Sequence, residues 1–171
     1  MKKNKEWKIT RYNRGGKKLL DFQKNDKEKD LYSSVKYITE NINGDICTTD
    51  FDASKILVVT SSGQYRFSYS GSSNDYVFHP CGICTDVLGN ILVCNGCSES
   101  LEKSLIVDPF KSEFGIHLLD QDGRFLSLLL KHPSSPNPRA LCFDNQNNLM
   151  VGSKNSPTVT VYKYLPRKGT L

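Results

Sequence analysis

The 171 residues hold 23 Lys/Arg against 18 Asp/Glu, a formal net charge of +5, with 37% hydrophobic residues and six cysteines. That is enough apolar material for one domain with a core, and no 18-residue apolar run is present that could span a membrane as a helix. The charge is confined: residues 1–30 carry 11 Lys/Arg against 5 Asp/Glu, leaving 12 against 13 for the remainder.

The chain opens on Met1-Lys2-Lys3-Asn4-Lys5-Glu6-Trp7-Lys8, basic but with no apolar stretch behind it, so it does not read as a secretory signal. A cytoplasmic setting with reduced thiols is the resulting expectation. The basic lead-in reads as a solvated arm and outer strands, with a phosphate-attracting role on a nucleic-acid binder as the sharper alternative. Next comes an apolar strand, a turn at Gly15-Gly16 and a return strand through Leu19-Leu20, the pattern of a β-hairpin. Tyr37 to Thr48 repeats the pattern around Gly44, Val58 to Phe67 around Gly63, and Gly82 to Val93 around Gly89. Leu118 to Ser127 turns at Gly123, and Ala140 to Val151 turns at Asn147.

Two such hairpins form a four-stranded unit of about 40 to 45 residues, the length of a propeller blade. Gly44 and Gly89 lie 45 residues apart and Asn147 follows 58 later, which places one insertion in between, at 101–113. The fold expected is all-β: a partial, open or truncated propeller of six-bladed type, built of four-stranded antiparallel blades. The reading divides the chain into a lead-in with the outer strands of a first blade at 1–30, a blade at 31–80, a blade with the insertion at 81–133, and an incomplete last blade at 134–171. Its strands number two, four, four and three. Open sheet edges invite self-association.

Residues 80–94 (PCGICTDVLGNILVC) and 116–130 (IHLLDQDGRFLSLLL) resemble NHL repeats, closest to those at the C-terminal end of tripartite-motif proteins of the RING, B-box, coiled-coil and NHL type. The Asn-His-Leu triplet is replaced by Ala53-Ser54-Lys55 in one repeat and Ser156-Pro157-Thr158 in another. The resemblance implies a non-enzymatic binding module that recognises substrates for a ubiquitin ligase. No RING or B-box ligand series precedes the repeats, so ubiquitin transfer by this chain is not expected. The rival reading is a metal-dependent hydrolase or lactonase of the related gluconolactonase-like propellers.

Cys81-x-x-Cys84 with Cys94-x-x-Cys97 looks like a zinc-ligand pattern, but only nine residues separate the pairs, fewer than the ~15 to 20 of zinc ribbons. Residues i and i+3 of a strand also face opposite sides. The cysteines therefore read as structural thiols without metal, with Cys84 and Cys142 buried at matching places. Asn41, Asp86 and Asp144 recur at one register position, which could form a metal-binding ring but reads better as turn capping. His117, between Ile116 and Leu118, is expected on an outward strand face. No cofactor is implied.

Topology supplies the candidate site. In an up-and-down blade the tight turns share one edge, and the long connections at 50–55, 70–81, 95–115, 131–139 and 153–158 share the other. Variable loops on a rigid scaffold are where binding residues gather. That face carries Phe51, Lys55, Tyr76, Phe78, His79, Lys131, His132, Arg139 and Lys154, a mix of aromatics and cations suited to a protein or single-stranded RNA partner.

Overall fold

The computed structural model describes residues 6–24, 29–72, 78–96, 115–130, 137–154 and 156–164. Thirteen strands are found among them: β1 (Ile9–Tyr12), β2 (Lys18–Phe22), β3 (Val35–Glu40), β4 (Ile46–Asp50), β5 (Lys55–Val59), β6 (Tyr65–Tyr69), β7 (Pro80–Thr85), β8 (Ile91–Asn95), β9 (Gly115–Leu119), β10 (Phe125–Leu129), β11 (Pro138–Phe143), β12 (Asn148–Ser153) and β13 (Val159–Lys163). They form a hairpin β1-β2, two four-stranded sheets β3-β4-β5-β6 and β7-β8-β9-β10, and a three-stranded sheet β11-β12-β13. Every strand pair is antiparallel. This is the arc of propeller blades that the repeat implies.

The hairpins share one turn. At Asn41, Thr60, Asp86, Asp120 and Asp144 the backbone N–H donates to the carbonyl four residues on, and the residue three places ahead donates back. That fourth position takes a positive φ at Gly44, Gly63, Gly89, Gly123 and Asn147. The first residue caps the turn: Asp86 and Asp144 each accept backbone N–H groups two and four residues ahead, plus the side-chain amide of Asn90 or Asn148. Asp86 also accepts the Tyr164 hydroxyl at 3.1 Å. Asn41 caps Ile42 and donates to the Gly89 carbonyl of the next blade at 2.9 Å. Recurrence of Asn and Asp here is thus a turn requirement.

Strand alternation then sorts the side chains. One face of β7–β10 (Ile83, Ile91, Val93, Leu119) meets Cys47, Ile56 and Val58 of β4 and β5 in a single cluster. Its other face (Cys84, Leu92, Cys94, Ile116) meets Leu149 and Val151 of β12. Hairpin β1–β2 lays Phe22 over Ile46, Leu57 and Val59, with Trp7 and Ile9 packed alongside. The middle blade, covered on both sides, is buried throughout β8. Arg66 clamps two blades on the tight-turn edge, pairing with Asp45 of its own blade and with Asp122 of the next at 2.7 Å.

Two expectations about side-chain direction are corrected. His117 does not face solvent: it is fully buried, its ring packed among Tyr69, Phe78 and Phe125, with Nδ1 2.8 Å from the Tyr69 hydroxyl. Flanking apolar residues mark a strand, but a blade between two neighbours buries both of its faces. Cys142 is exposed, whereas Cys84 at the same register is buried, because no further blade among the described residues covers that side of β11. Burial pushes the Cys47 and Cys84 thiols up to about 12 and that of Cys94 well above its ordinary value. At neutral pH and low protein concentration, a thiol reagent is therefore expected to label Cys142 while sparing Cys47, Cys84 and Cys94 until urea is added. Mass spectrometry of labelled peptides checks this, and equal labelling of Cys84 in the folded protein would contradict it.

Candidate functional site

The residue before each inner strand fixes the geometry of the long-loop edge. Ser34, His79 and Asn137 are equivalent: their carbonyls accept the backbone N–H of Phe51, Gly96 and Lys154 at 3.1, 3.1 and 3.0 Å. Pro80 and Pro138 follow two of them, a residue that lacks a donor and is tolerated at a strand's first position. Inner strands β7 and β11 approach so closely here that a Cβ on Gly82 would lie 2.6 Å from the Arg139 carbonyl oxygen. A Cβ on Gly96 would meet the Asn137 Oδ1 at 3.1 Å and the Cys81 Sγ at 3.2 Å. Absence of side chains at Gly82 and Gly96 is what lets His79, Cys81, Asn137 and Arg139 share one corner.

The polar groups of that corner are unequally satisfied. Two of the inner-to-second strand junctions have a side-chain clasp: Asp50, fully buried, accepts the backbone N–H groups of Ser33, Ser34 and Ala53 at 2.5, 2.9 and 3.2 Å. The equivalent Asn95 accepts the backbone N–H of His79 at 2.9 Å. In contrast, buried His79 Nδ1 and Asn137 Oδ1 have no hydrogen-bond partner among the described residues. The imidazole stacks on Phe51 with centroids 5.5 Å apart, and burial lowers its pKa, keeping it neutral at neutral pH. Burial raises the Cys81 pKa, with Arg139 and Lys154 opposing the shift, so both cations lie within electrostatic reach of this corner.

The expected loop-face residues divide three ways. Phe51, His79, Arg139 and Lys154 gather at the corner, and Lys55 lies on the same edge at the start of β5. Phe78 is corrected: it is buried in the core, edge-on to Tyr69 and tilted against His117, so its ring is not available for stacking on a ligand. An aromatic in a long loop looks like a contact residue, but this one closes the gap between two blades. Tyr76, Lys131 and His132, together with the insertion 101–113 and Cys97, lie outside the described residues. Sequence reading missed Asn137 and the clasps Asp50 and Asn95. The paired His79-Pro80 and Asn137-Pro138 openings were the signal that could have found the first.

Among the described residues no group of three or more His, Cys, Asp or Glu side chains could hold a metal ion. Asp86 and Asp144 are engaged by their turns, and Cys81, Cys84 and Cys94 belong to an apolar cluster. No helix among the described residues is long and apolar enough to cross a membrane.

No family model matches the sequence, and no curated protein matches it. Solved structures do match. A catalytically inactive His-to-Ala variant of virginiamycin B lyase from Staphylococcus aureus, with quinupristin, superposes at a TM-score of 0.65 and 18% identity, over 93% of this chain and 46% of that one. A streptogramin B lyase structure gives 0.64 and 17%, over 92% and 45%. A protein of unknown function from Bacteroides caccae gives 0.53 and 12%, over 86% and 46%. The likeness shows the fold, a partial β-propeller, and the chain spans about half the length of these neighbours. It gives no support to the NHL and tripartite-motif assignment. It also corrects the expectation that the chain is not an enzyme: lyases are built on this same architecture.

Proposed function

We propose that the chain supplies the ligand-binding face of a β-propeller, and that the corner formed by His79, Asn137 and Arg139 takes a peptide segment bearing a carboxylate. The observation that carries this is that two buried atoms, His79 Nδ1 and Asn137 Oδ1, at equivalent entrances of adjacent inner strands beside Arg139 and Lys154, have no hydrogen-bond partner among the described residues. Buried polar atoms without partners are rare in folded proteins, so these two are suited to the amide and carbonyl groups of a peptide. The guanidinium supplies charge for a carboxylate, the geometry in which arginine binds best. A peptide is favoured over single-stranded RNA because stacking needs open aromatic faces. Here Phe78 is buried and Phe51 already stacks on His79. The role in ubiquitin-ligase substrate recognition rests on the NHL resemblance alone.

A second reading draws on the lyases of like fold: the neutral imidazole of His79 is suited to take a proton from a carbon of a bound linear peptide while the bond from the adjacent carbon to a leaving group breaks, the electron pair departing with that group. Fluorescence anisotropy with acidic peptides, neutral peptides and a single-stranded RNA tests the first reading. Arg139→Ala should weaken acidic-peptide binding by about tenfold or more, the worth of one charge-assisted hydrogen bond. Neutralising the exposed Arg14 and Lys17 should leave it unchanged. Binding of RNA alone, steeply reduced by salt and lost on that neutralisation, would move the site to the basic lead-in. Change of a bound peptide's mass, abolished by His79→Ala with binding retained, would establish the second reading.

A further inference from the structure

The inner strands β3, β7 and β11 share one irregularity near their start. Val35 pairs with Asp50 and Tyr37 with Thr49, while Pro138 pairs with Ser153 and Ala140 with Gly152, so Lys36 and Arg139 are each an extra residue without a counterpart on the next strand. Strand β7 is bulged at the same place, over Cys81 and Gly82. A bulge bends its strand and re-aims a side chain. Counted back from the hairpin turns, Lys36, Cys81 and Arg139 are equivalent, each two residues past Ser34, His79 or Asn137. Inner strands stand side by side round a propeller axis, so the three positions share one level just inside the long-loop edge. Strand β6 shows what a bulged cation does when its partners are in place. Arg66 is the extra residue there, and its guanidinium meets two carboxylates, those of Asp45 and Asp122. Lys36 and Arg139 meet none: neither has an ion pair among the described residues, whereas Lys8, Arg11, Lys18, Arg66 and Arg124 all do. Asp50, across from Val35, is already engaged by three backbone N–H groups.

We propose that Lys36 is a second cation of the ligand site, so that the site selects peptides carrying two carboxylates, one held by Arg139 and the other by Lys36. The proposal rests on the reading of the His79, Asn137 and Arg139 corner as a peptide site and adds its selectivity. Strand β7 packs against both β3 and β11, so a peptide that leaves Arg139 and passes the entrance of β7 at His79 and Cys81 arrives at Lys36. Cys81, buried and with its thiol pKa raised, brings no charge to the middle of that path. Lys36 is exposed and Arg139 half-buried, so both can be reached from the long-loop edge. Hydrogen bonds between ionised partners are the stronger kind, and each cation without a partner in the protein has that gain to offer a ligand.

Isothermal titration calorimetry of the full chain with alanine-based peptides, acetylated and amidated at their ends, is the test. One set carries a single Asp, and the other carries two Asp separated by a varied number of alanines. At the best spacing the second carboxylate should tighten binding by about fivefold or more. Lys36→Ala should remove that gain and leave the single-Asp peptide unchanged, Lys36→Arg should keep it, and Arg139→Ala should weaken both sets. Lys17→Ala removes the same charge from the exposed β1–β2 turn and should change neither, which separates contact from long-range attraction. Lys36 is exposed, so its variants should fold, as circular dichroism will show. Equal affinity for one and two carboxylates at every spacing, or a gain that survives Lys36→Ala, would overturn the proposal while the loss at Arg139→Ala kept the corner as a peptide site. Indifference of every peptide to Arg139→Ala would remove the corner reading and the proposal with it. Tighter binding of single-stranded oligouridylate than of any peptide, lost on Lys36→Ala, would assign both cations to phosphates and overturn the proposal as well.

Discussion

Gly82→Val should be among the most damaging single substitutions in the described chain, lowering the stability of the fold by about 3 kcal/mol or more. Any Cβ at this position would lie 2.6 Å from the Arg139 carbonyl oxygen and 2.8 Å from the Ala140 Cα. Both are backbone atoms, so no rotamer change relieves the clash and inner strands β7 and β11 must separate. Separation also pulls Asn137 and Arg139 away from His79, so any ligand bound at that corner should be lost with the stability. Urea unfolding followed by circular dichroism measures the first effect, and a midpoint equal to that of the parent chain would refute the close approach. Tyr37 and Ala140 occupy the equivalent register on the flanking inner strands, so the glycine is demanded by the neighbour and not by the repeat.

Gly123→Ala should cost about 2–4 kcal/mol, combining a left-handed backbone, roughly 1–2 kcal/mol for a residue with a Cβ, with overpacking. Gly123 has φ +85°, and an added Cβ would fall inside contact distance of the Phe67 ring, carried by the outer strand of the preceding blade. Gly16 is the control: its φ is +75°, but nothing lies within 4 Å of where a Cβ would stand. Gly16→Ala should therefore show the backbone cost alone. Equal losses at the two positions would mean that the Phe67 contact adds nothing. Asn147, which holds the same turn position at φ +60°, should tolerate replacement by Gly with little change.

Most of the strand plan was legible because it depends on local chemistry repeated along the chain. A Gly or Asn at the fourth turn position and an Asp, Asn or Thr at the first need no distant partner to dictate a hairpin. The candidate site was legible only in outline. Loop-face membership of Phe51, His79, Arg139 and Lys154 follows from counting strands, because strand order decides which edge a connection occupies. Which of those side chains meet does not follow from counting. Phe78 and His117 look like surface residues in sequence, yet both are enclosed, because burial in a propeller depends on whether a second blade stands against that face.

The sequence by itself therefore determined the all-β class, the four-stranded unit, the turn positions and the equivalence of Cys84 with Cys142. Each is a property of spacing, propensity and period. Only the tertiary structure decided that Cys84 is sealed while Cys142 is open, and that Gly82 and Gly96 make room for a polar corner. Those outcomes come from blade-to-blade packing, in which residues about 50 apart in sequence meet face to face, and a repeat assigns the same position to all its copies whether or not a neighbour covers it.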